Sequence, residues 1–470
     1  MYKKLFSHSL IYGLAPYIPY LASIFILPLT TPHLTAFDFG VFGIVMSYLG
    51  FLNVLQYLGL HVNFNNSFFY SRLRYKWLWR QIYGFLYIWN FVFSIIIAII
   101  IYFILPTEIM ADYSLIAILT VIPFVLFGPI DLIARSFYQL NKKPFPIVVR
   151  SVVFGLMTGL LNLIFIKYLQ MGYMGWFWSL AIVKCLTALS WIYPIIIKEK
   201  ITPIYNFKKT TIKRSLSVSL PLVPHANALM LLNQSDRVVM DFMNVSANQI
   251  GVYTAAYNLG STVDAIGNGY NKAITPFFYQ LLKEKKERQI RQLIFISQIA
   301  FFLIGLVFSL IAKEFMEFLI RNDELNNMYP LMVVIAMAVI FKPMYIASTI
   351  RYFYFEKTKL FAIYSLAAGI INILLNIIFI PIFGIEAAAF STFVGFMLLS
   401  YSRFWPKSFK ELSPLPYYEH FWMIASVVVC LLGYYMSQLD LNIRIIIFLI
   451  TFILLMPVFY FIYKKTRQVK

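Results

Sequence analysis

Charge is scarce in this chain, and most of it has one sign. Of 470 residues only 12% are charged, 19 acidic against 39 basic, while 61% are hydrophobic. A soluble domain carries about 25% charged residues, so this composition cannot cover a water-facing globular surface. It suits a chain that crosses a bilayer repeatedly. Cysteine is almost missing: Cys185 and Cys430 lie inside apolar runs and offer neither a disulfide framework nor metal-ligand spacing. There is no glycine-rich phosphate loop, no paired carboxylates at a useful spacing and no nucleophile elbow. Nor is there a long polar stretch in which a catalytic domain could fold, and these gaps argue against an enzyme. The net charge of +20 would suit nucleic acid if it were gathered in one patch, but the basic residues sit in short alternate loops, which excludes that partner. Lys3 and Lys4 precede an apolar run that is too long for a signal-peptide core and lacks a small-residue cleavage site, so no cleaved leader is expected.

What is abundant is apolar length. A helix needs about 20 apolar residues to cross the hydrocarbon core. By that measure fourteen spans are expected: 9–30, 39–60, 82–105, 113–134, 146–167, 173–197, 215–237, 250–276, 292–312, 329–350, 360–381, 386–403, 419–438 and 443–463. The linkers 31–38 and 382–385 are short enough to make tight hairpins. Alternate loops hold 31 of the 39 basic residues, which the positive-inside rule makes cytoplasmic, and both termini with them. The opposite loops carry acids instead, among them Asp38, Glu108, Asp112, Asp323, Glu324 and Asp440.

The chain also repeats itself. Phe39-Gly40-Val41-Phe42 returns 211 residues later as Ile250-Gly251-Val252-Tyr253, and Pro16-x-x-Pro19 returns as Pro221-x-x-Pro224. Ala134-Arg135-Ser136-Phe137-Tyr138 matches Ile350-Arg351-Tyr352-Phe353-Tyr354, and Asn162-Leu163-Ile164-Phe165-Ile166 matches Asn376-Ile377-Ile378-Phe379-Ile380. Four matches in one order argue for two copies of a six-span unit, 1–205 and 206–415, followed by two further spans and a basic tail over 416–470. Six is even, so the copies share an orientation about an axis near the membrane normal. Paired copies rocking about a site between them are the architecture of a secondary transporter.

Ser219-Leu220-Pro221-Leu222-Val223-Pro224-His225, then Ser235-Asp236-Arg237, then Ile250-Gly251-Val252-Tyr253-Thr254-Ala255-Ala256-Tyr257-Asn258-Leu259-Gly260 form a distinctive series. It resembles the bacterial polysaccharide flippases of the Wzx type, within the multidrug/oligosaccharidyl-lipid/polysaccharide exporter superfamily. The resemblance implies an all-α polytopic membrane protein with 14 transmembrane helices. Two pseudo-symmetric six-helix bundles would form a V around a central cavity, with two extra C-terminal helices. The implied cargo is an O-antigen, capsule or exopolysaccharide repeat unit on undecaprenyl diphosphate, moved from the cytoplasmic to the outer leaflet of the bacterial inner membrane. Membrane lipids, a polysaccharide polymerase and a chain-length regulator are the implied partners. A lipid II flippase and a multidrug cation antiporter of the same superfamily are alternatives. A membrane glycosyltransferase or polymerase would need a large external loop or a cytoplasmic domain that the chain lacks.

Ionisable groups within spans are expensive and usually face a cavity. Asp131, Lys184, Asp236, Arg237, Asp264, Lys272 and Lys342 are such groups. Lys184, Lys342, Arg237 and Lys272 are candidates for a cationic cavity that receives a diphosphate. Lys184 or Lys342 pairing with Asp131 or Asp264 is the plainer alternative. His61 is placed to couple a proton, or simply to pack. Pro16, Pro19, Pro221 and Pro224 remove helix hydrogen bonds and are candidate hinges. Asn372 and Asn376, four apart, share one face of span eleven. The lipid II flippases that the chain resembles have a sodium site made by a span-seven acid, two polar residues four apart on span eleven and a span-twelve threonine. Carried over, this implies Asp236, Asn372, Asn376, Thr392 and the Ala388 carbonyl, with Asn376 where an acid is usual. Na+ or H+ is the coupling ion so implied, no other cofactor or metal is expected, and interhelical bridging by the two asparagines is the alternative. The topology predicts that single cysteines at Asp112 and Asn244 react with an impermeant thiol reagent added outside intact cells. Cysteines at Lys142 and Lys285 should not; labelling there overturns the orientation.

Overall fold

Apolar runs without turn residues leave the backbone one way to satisfy its hydrogen bonds in lipid, the helix. The protein is described by a computed structural model covering residues 17–450 other than Arg72 and Pro414; the side chains of residues 17–23, 54, 222, 224–229 and 358–359 are not described. Among the described residues the regular structure is helical throughout. The long helices are α1 Tyr17–Thr30, α2 Ala36–Tyr57, α3 Tyr75–Ile104, α4 Thr107–Leu140, α5 Phe145–Tyr168, α6 Tyr173–Lys198, α7 Val223–Phe242 and α8 Ala247–Gly260. A 3-10 turn joins α8 to a second segment, Asp264–Lys283. There follow α9 Glu287–Leu319, α10 Tyr329–Tyr354, α11 Thr358–Phe383, α12 Ile385–Tyr401 and α13 Glu419–Ser437.

Ten helices among the described residues are long and apolar enough to cross a membrane. Helix α7 is not one of the ten, because Asn233, Gln234, Asp236 and Arg237 interrupt its apolar surface. The fourteenth expected span, 443–463, is represented by the short apolar helix Leu441–Ile450, its remainder lying outside the described residues. Several helices outrun their apolar runs. At 33 residues α9 is about 50 Å long, against 21 residues for the run 292–312, since charged residues such as Glu287 and Arg291 remain helical beyond the hydrocarbon. The hairpin between α11 and α12 is as tight as the sequence suggests, turning on Gly384 at φ 68°.

The chain forms two compact units that cut across the repeat. One holds the described residues up to Ala255 together with Leu319–Leu325 and Lys359–Gly395; the other holds Ala256–Phe318, Asn326–Thr358 and the described residues from Phe396 onward. Within the first unit, Thr35 caps α2 in a reciprocal pair with Asp38, whose other oxygen accepts the Tyr173 amide at the start of α6 at 2.7 Å. The linker after α6 is tied to α3 by the Lys76–Glu199 ion pair at 2.9 Å, by Arg80 Nε donating to the Thr202 carbonyl and by the Ile204 amide donating to the Arg80 carbonyl. This approach leaves no room for a side chain at Gly84, where a Cβ would overlap the Ile204 carbonyl.

The repeat has a direct structural expression in this unit. Helices α2 and α8 meet near their starts with their backbones in contact. A Cβ at Gly40 would overlap the Ala247 carbonyl, and one at Gly251 would overlap the Ala36 carbonyl. Ala36 and Ala247 are equivalent positions of the two copies, as are Gly40 and Gly251, so the contact is reciprocal. One turn on, a Cβ at Gly43 would overlap the side chain of its own equivalent, Thr254.

The second unit is held by buried arginines. Arg351, at the end of α10 and wholly buried, bonds Glu287, the Leu412 carbonyl at 2.8 Å and the Tyr417 hydroxyl at 3.1 Å. Arg444 makes a two-armed pair with Glu314 at 2.7 and 2.8 Å. Arg135, the first-copy equivalent of Arg351, makes only a partly exposed pair with Asp131, four residues before it. Gly84→Val should lower the stability of the first unit by about 1–3 kcal/mol through overpacking against backbone, read as thermal unfolding in detergent. Gly269→Val, where a Cβ meets nothing within 4 Å, should not.

Candidate functional site

Helix α7 carries three consecutive buried polar side chains, Ser235, Asp236 and Arg237, and neighbouring helices answer them. Asp236 is 0% exposed. Its Oδ1 accepts from Asn376 Nδ2 on α11 at 2.7 Å, and its Oδ2 accepts from the Thr392 hydroxyl on α12 at 2.6 Å and the Tyr253 hydroxyl on α8 at 2.5 Å. Three helices thus each contribute one donor to one carboxylate. Ser235, one residue back, bonds Asn372 Oδ1 at 2.9 Å and also donates to the Leu231 carbonyl. Asn372 and Asn376 are both fully buried, as the four-residue spacing on one face requires. Gly395 on α12 admits Asn372, whose Cβ would lie 3.1 Å from any Cβ placed there. Ala388 is wholly buried one turn before Thr392.

Among the described residues two polar atoms in this cluster have no hydrogen-bond partner: the Asn376 side-chain oxygen and the Asn372 side-chain nitrogen. A buried amide oxygen beside a carboxylate, a hydroxyl and a second amide is a set of hard oxygen donors. Arg237, only 3% exposed, points its guanidinium along α8, with Nε donating to Thr254 Oγ1 at 3.1 Å. Its Nη1 reaches the Asn233 carbonyl at 3.3 Å and Gln234 Oε1 at 3.4 Å, and its guanidinium carbon lies 5.5 Å from the Tyr253 ring centre. Consecutive residues of α7 therefore hold consecutive residues of α8, Asp236 with Tyr253 and Arg237 with Thr254.

The remaining candidates lie elsewhere. Lys342, in the second unit, pairs with Asp264 at 2.7 Å. Lys184, in the first, is exposed, its ammonium 5.3 Å from the Phe124 ring centre. Lys272 is exposed on the segment Asp264–Lys283, and His61 is exposed at the first position of the short helix His61–Tyr70. Pro221 sits in a 3-10 turn, Leu220–Leu222, leading into α7, and Pro224 in the first turn of that helix. Pro19 occupies the first turn of α1, and Pro16 lies outside the described residues. In the first copy, Thr158 donates to its own helix at Phe154 O, 2.9 Å, while the Asn162 side-chain oxygen is buried without a partner.

Sequence reasoning assigned no role to Tyr253, Thr254 or Ser235. The signal was present in the repeat: Tyr253 and Thr254 stand where the first copy has Phe42 and Gly43, so each adds a hydroxyl to the second copy alone. Asp241 was also missed. It lies on α7 one and a half turns beyond Asp236 and accepts the Tyr48 hydroxyl of α2 at 2.8 Å.

Two solved structures share this fold over nearly the whole chain. The lipid II flippase MurJ, in an inward closed conformation, superposes with a TM-score of 0.70 at 14% identity, covering 97% of this chain and 99% of that one. An inward-facing multidrug resistance MATE family transporter of the MOP superfamily does so with a TM-score of 0.57 at 13% identity, over 90% and 94%. Fold and buried polar cluster together define a multi-pass, all-α membrane protein of the MurJ and MATE fold. Residues 5–282 match the polysaccharide biosynthesis protein family, and the chain belongs to that family. A protein of the Lsg locus of Haemophilus influenzae, numbered 1, is 26% identical over 174 residues, 36% of this chain and 43% of that protein, so the match spans less than half of the relative.

Asp236→Leu would strand three donors, each worth about 1–3 kcal/mol when left unpaired in a buried site. Asp241→Leu would strand the Tyr48 hydroxyl bonded to it. Thermal unfolding in detergent should therefore fall further for Asp236→Leu than for Asp241→Leu.

Proposed function

We propose that this protein is a flippase that carries an undecaprenyl-diphosphate-linked oligosaccharide from the cytoplasmic to the outer leaflet of the bacterial inner membrane, by alternating access coupled to an ion. It is read as a transporter, with both termini in the cytoplasm. Family membership supports the polysaccharide side of this reading, and the fold shared with MurJ, described as a lipid II flippase, supports the movement of a lipid-linked cargo. The observation that carries the coupling is the Asp236 cluster. A carboxylate this deep is costly in an apolar bundle unless it serves a purpose, and the unpartnered Asn376 oxygen beside it is a ligand without a ligand-bound partner.

The donor set fits a monovalent cation, Na+ or H+. Asp236 would supply the charge, and Asn376, Thr392, Asn372 and the Ala388 carbonyl would supply neutral oxygens. A bound cation would supply positive charge that relieves the burial of the carboxylate. Thr392 can turn its hydroxyl to present a lone pair, and Asn376 already has an oxygen to offer. With Asn376 in place of a second acid, the site carries one negative charge and holds its ion less tightly. On the cargo side, Lys342, which would exchange Asp264 for phosphate, and the exposed Lys184 and Lys272 are the cations read as meeting diphosphate oxygens, while Arg237 is buried against Thr254. Pro16, Pro19, Pro221 and Pro224 soften the entries to spans one and seven, where bending would accompany the change of access, and His61 is a second group able to exchange a proton. The lipid-linked oligosaccharide and membrane lipids are the direct partners. A polymerase and a chain-length regulator would take up the product.

The test is export of surface glycan in a strain lacking its own polysaccharide flippase, measured in sodium and in choline medium. Wild type should export in sodium and slow by about tenfold or more without it, as loss of one charged ligand interaction implies. Asp236→Asn should export poorly in both media, and Asn376→Asp should lower the sodium concentration that gives half-maximal export. Export indifferent to sodium and to Asp236→Asn would sink the coupling site.

A further inference from the structure

Helix α8 is gripped from two sides within the first unit. On one side, Tyr253 and Thr254 are bonded by Asp236 and Arg237 of α7 at 2.5 and 3.1 Å. On the other, Gly251 lies against Ala36 and Gly40 of α2 backbone to backbone, and the Thr254 side chain lies against Gly43. Residues 251 to 254 make both sets of contacts. The α2–α8 crossing is of a kind that opens abruptly: it is made of direct van der Waals contact, which loses much of its attraction within about 1 Å of separation. At Gly40 and Gly251 the backbones approach with no side chain between them.

We infer that the Tyr253 hydroxyl is the positioning group through which occupancy of Asp236 sets the α2–α8 crossing, so that an empty carboxylate holds the crossing shut and an occupied one releases it. This rests on the reading of Asp236 as the ion-coupling group. Tyr253 and Thr392 share Asp236 Oδ2. A cation bound at that carboxylate competes with the phenolic hydrogen for the Oδ2 lone pairs, as does a proton carried on Oδ2. Thr392 sits on α12, so its response leaves α8 in place, whereas loss of the Tyr253 bond removes one of the ties between α7 and the turn of α8 that carries Gly251. The first copy supplies a comparison: Phe42 occupies the equivalent position, has no hydroxyl, and packs against Trp176 and Phe177 instead. At this position the second copy alone offers a hydroxyl to the Asp236 carboxylate. By linkage, a site whose occupancy opens the crossing binds its ion more tightly when the crossing is open. The starts of α2 and α8 lie at the outward end in the topology proposed above, so the ion would enter from outside.

Full-length protein in lipid nanodiscs, with Cys185→Ala and Cys430→Ala, would carry spin labels at Phe37→Cys and Asn248→Cys, equivalent positions one residue into α2 and α8. Wild type should show a short separation in choline chloride and a longer one in sodium chloride, a shift of about 5 Å if α8 moves by the order of a helical turn. Tyr253→Phe, which removes one oxygen and keeps the ring, should show the longer separation in both salts. Thr392→Val, which removes a donor to the same carboxylate oxygen from a different helix, should keep the short separation in choline. A wild-type separation for Tyr253→Phe, or equal lengthening in Thr392→Val, overturns the inference. If sodium changes neither the separation nor the thermal stability of wild type while Tyr253→Phe still lengthens it, the sodium-coupling reading fails and the Tyr253 link stands.

Discussion

Burying the carboxylate of Asp236 constrains more of this protein than any other single interaction. An ionised group out of water costs several kcal/mol unless polar partners surround it. Here the partners come from α8, α11 and α12, each placing one donor within 2.7 Å. Meeting that requirement fixes the mutual placement of four helices. It also accounts for the boundary of the first unit. Residues 359–395 lie far along the chain from α7, yet they pack with it because Asn372 and Asn376 must face Ser235 and Asp236. The unit is thus defined by polar matching as much as by apolar packing, which in lipid offers little preference between one helix pair and another.

The second constraint is geometric. Gly40 and Gly251 let two helix backbones touch, and the touching residues are one another's equivalents under the repeat. A duplicated unit generates such a self-matching contact without further design, because any residue small enough at the axis meets its own copy. The two stretches differ at the periphery of that contact. Phe42 and Gly43 remain apolar in the first copy, while Tyr253 and Thr254 gain hydroxyls that Asp236 and Arg237 bind. The contact is reciprocal at the glycines and unlike a residue or two away, where Tyr253 and Thr254 meet charged groups.

Basic residues divide by burial in a similar way. Arg135 and Arg351 occupy matching positions and serve different ends: the first makes a partly exposed pair one turn away, and the second locks Glu287, Leu412 and Tyr417 together in the second unit. Exposed pairs of the first kind contribute little to stability, about 0–1 kcal/mol. Losing a partner from a buried pair costs far more. Equivalent sequence positions therefore do not imply equivalent energetic weight.

The sequence alone was enough for the helical, multi-pass character and for the tight hairpin over 382–385. These follow from local rules, apolar length and a linker too short to do anything but turn; the four-residue spacing put Asn372 and Asn376 on one face, while their meeting with Ser235 and Asp236 was an expectation drawn from a family resemblance. Lys342 was legible as a buried cation, but whether it met Asp264 or stood alone was not, since a pair 78 residues apart in the chain is decided by how two helices rotate against each other. Tertiary structure likewise decided that Tyr253 reaches Asp236, that Arg237 turns to Thr254, and that residues 359–395 join the first unit. Each depends on distances between helices that no periodicity encodes, because periodicity names the face a residue occupies and only packing names what that face meets.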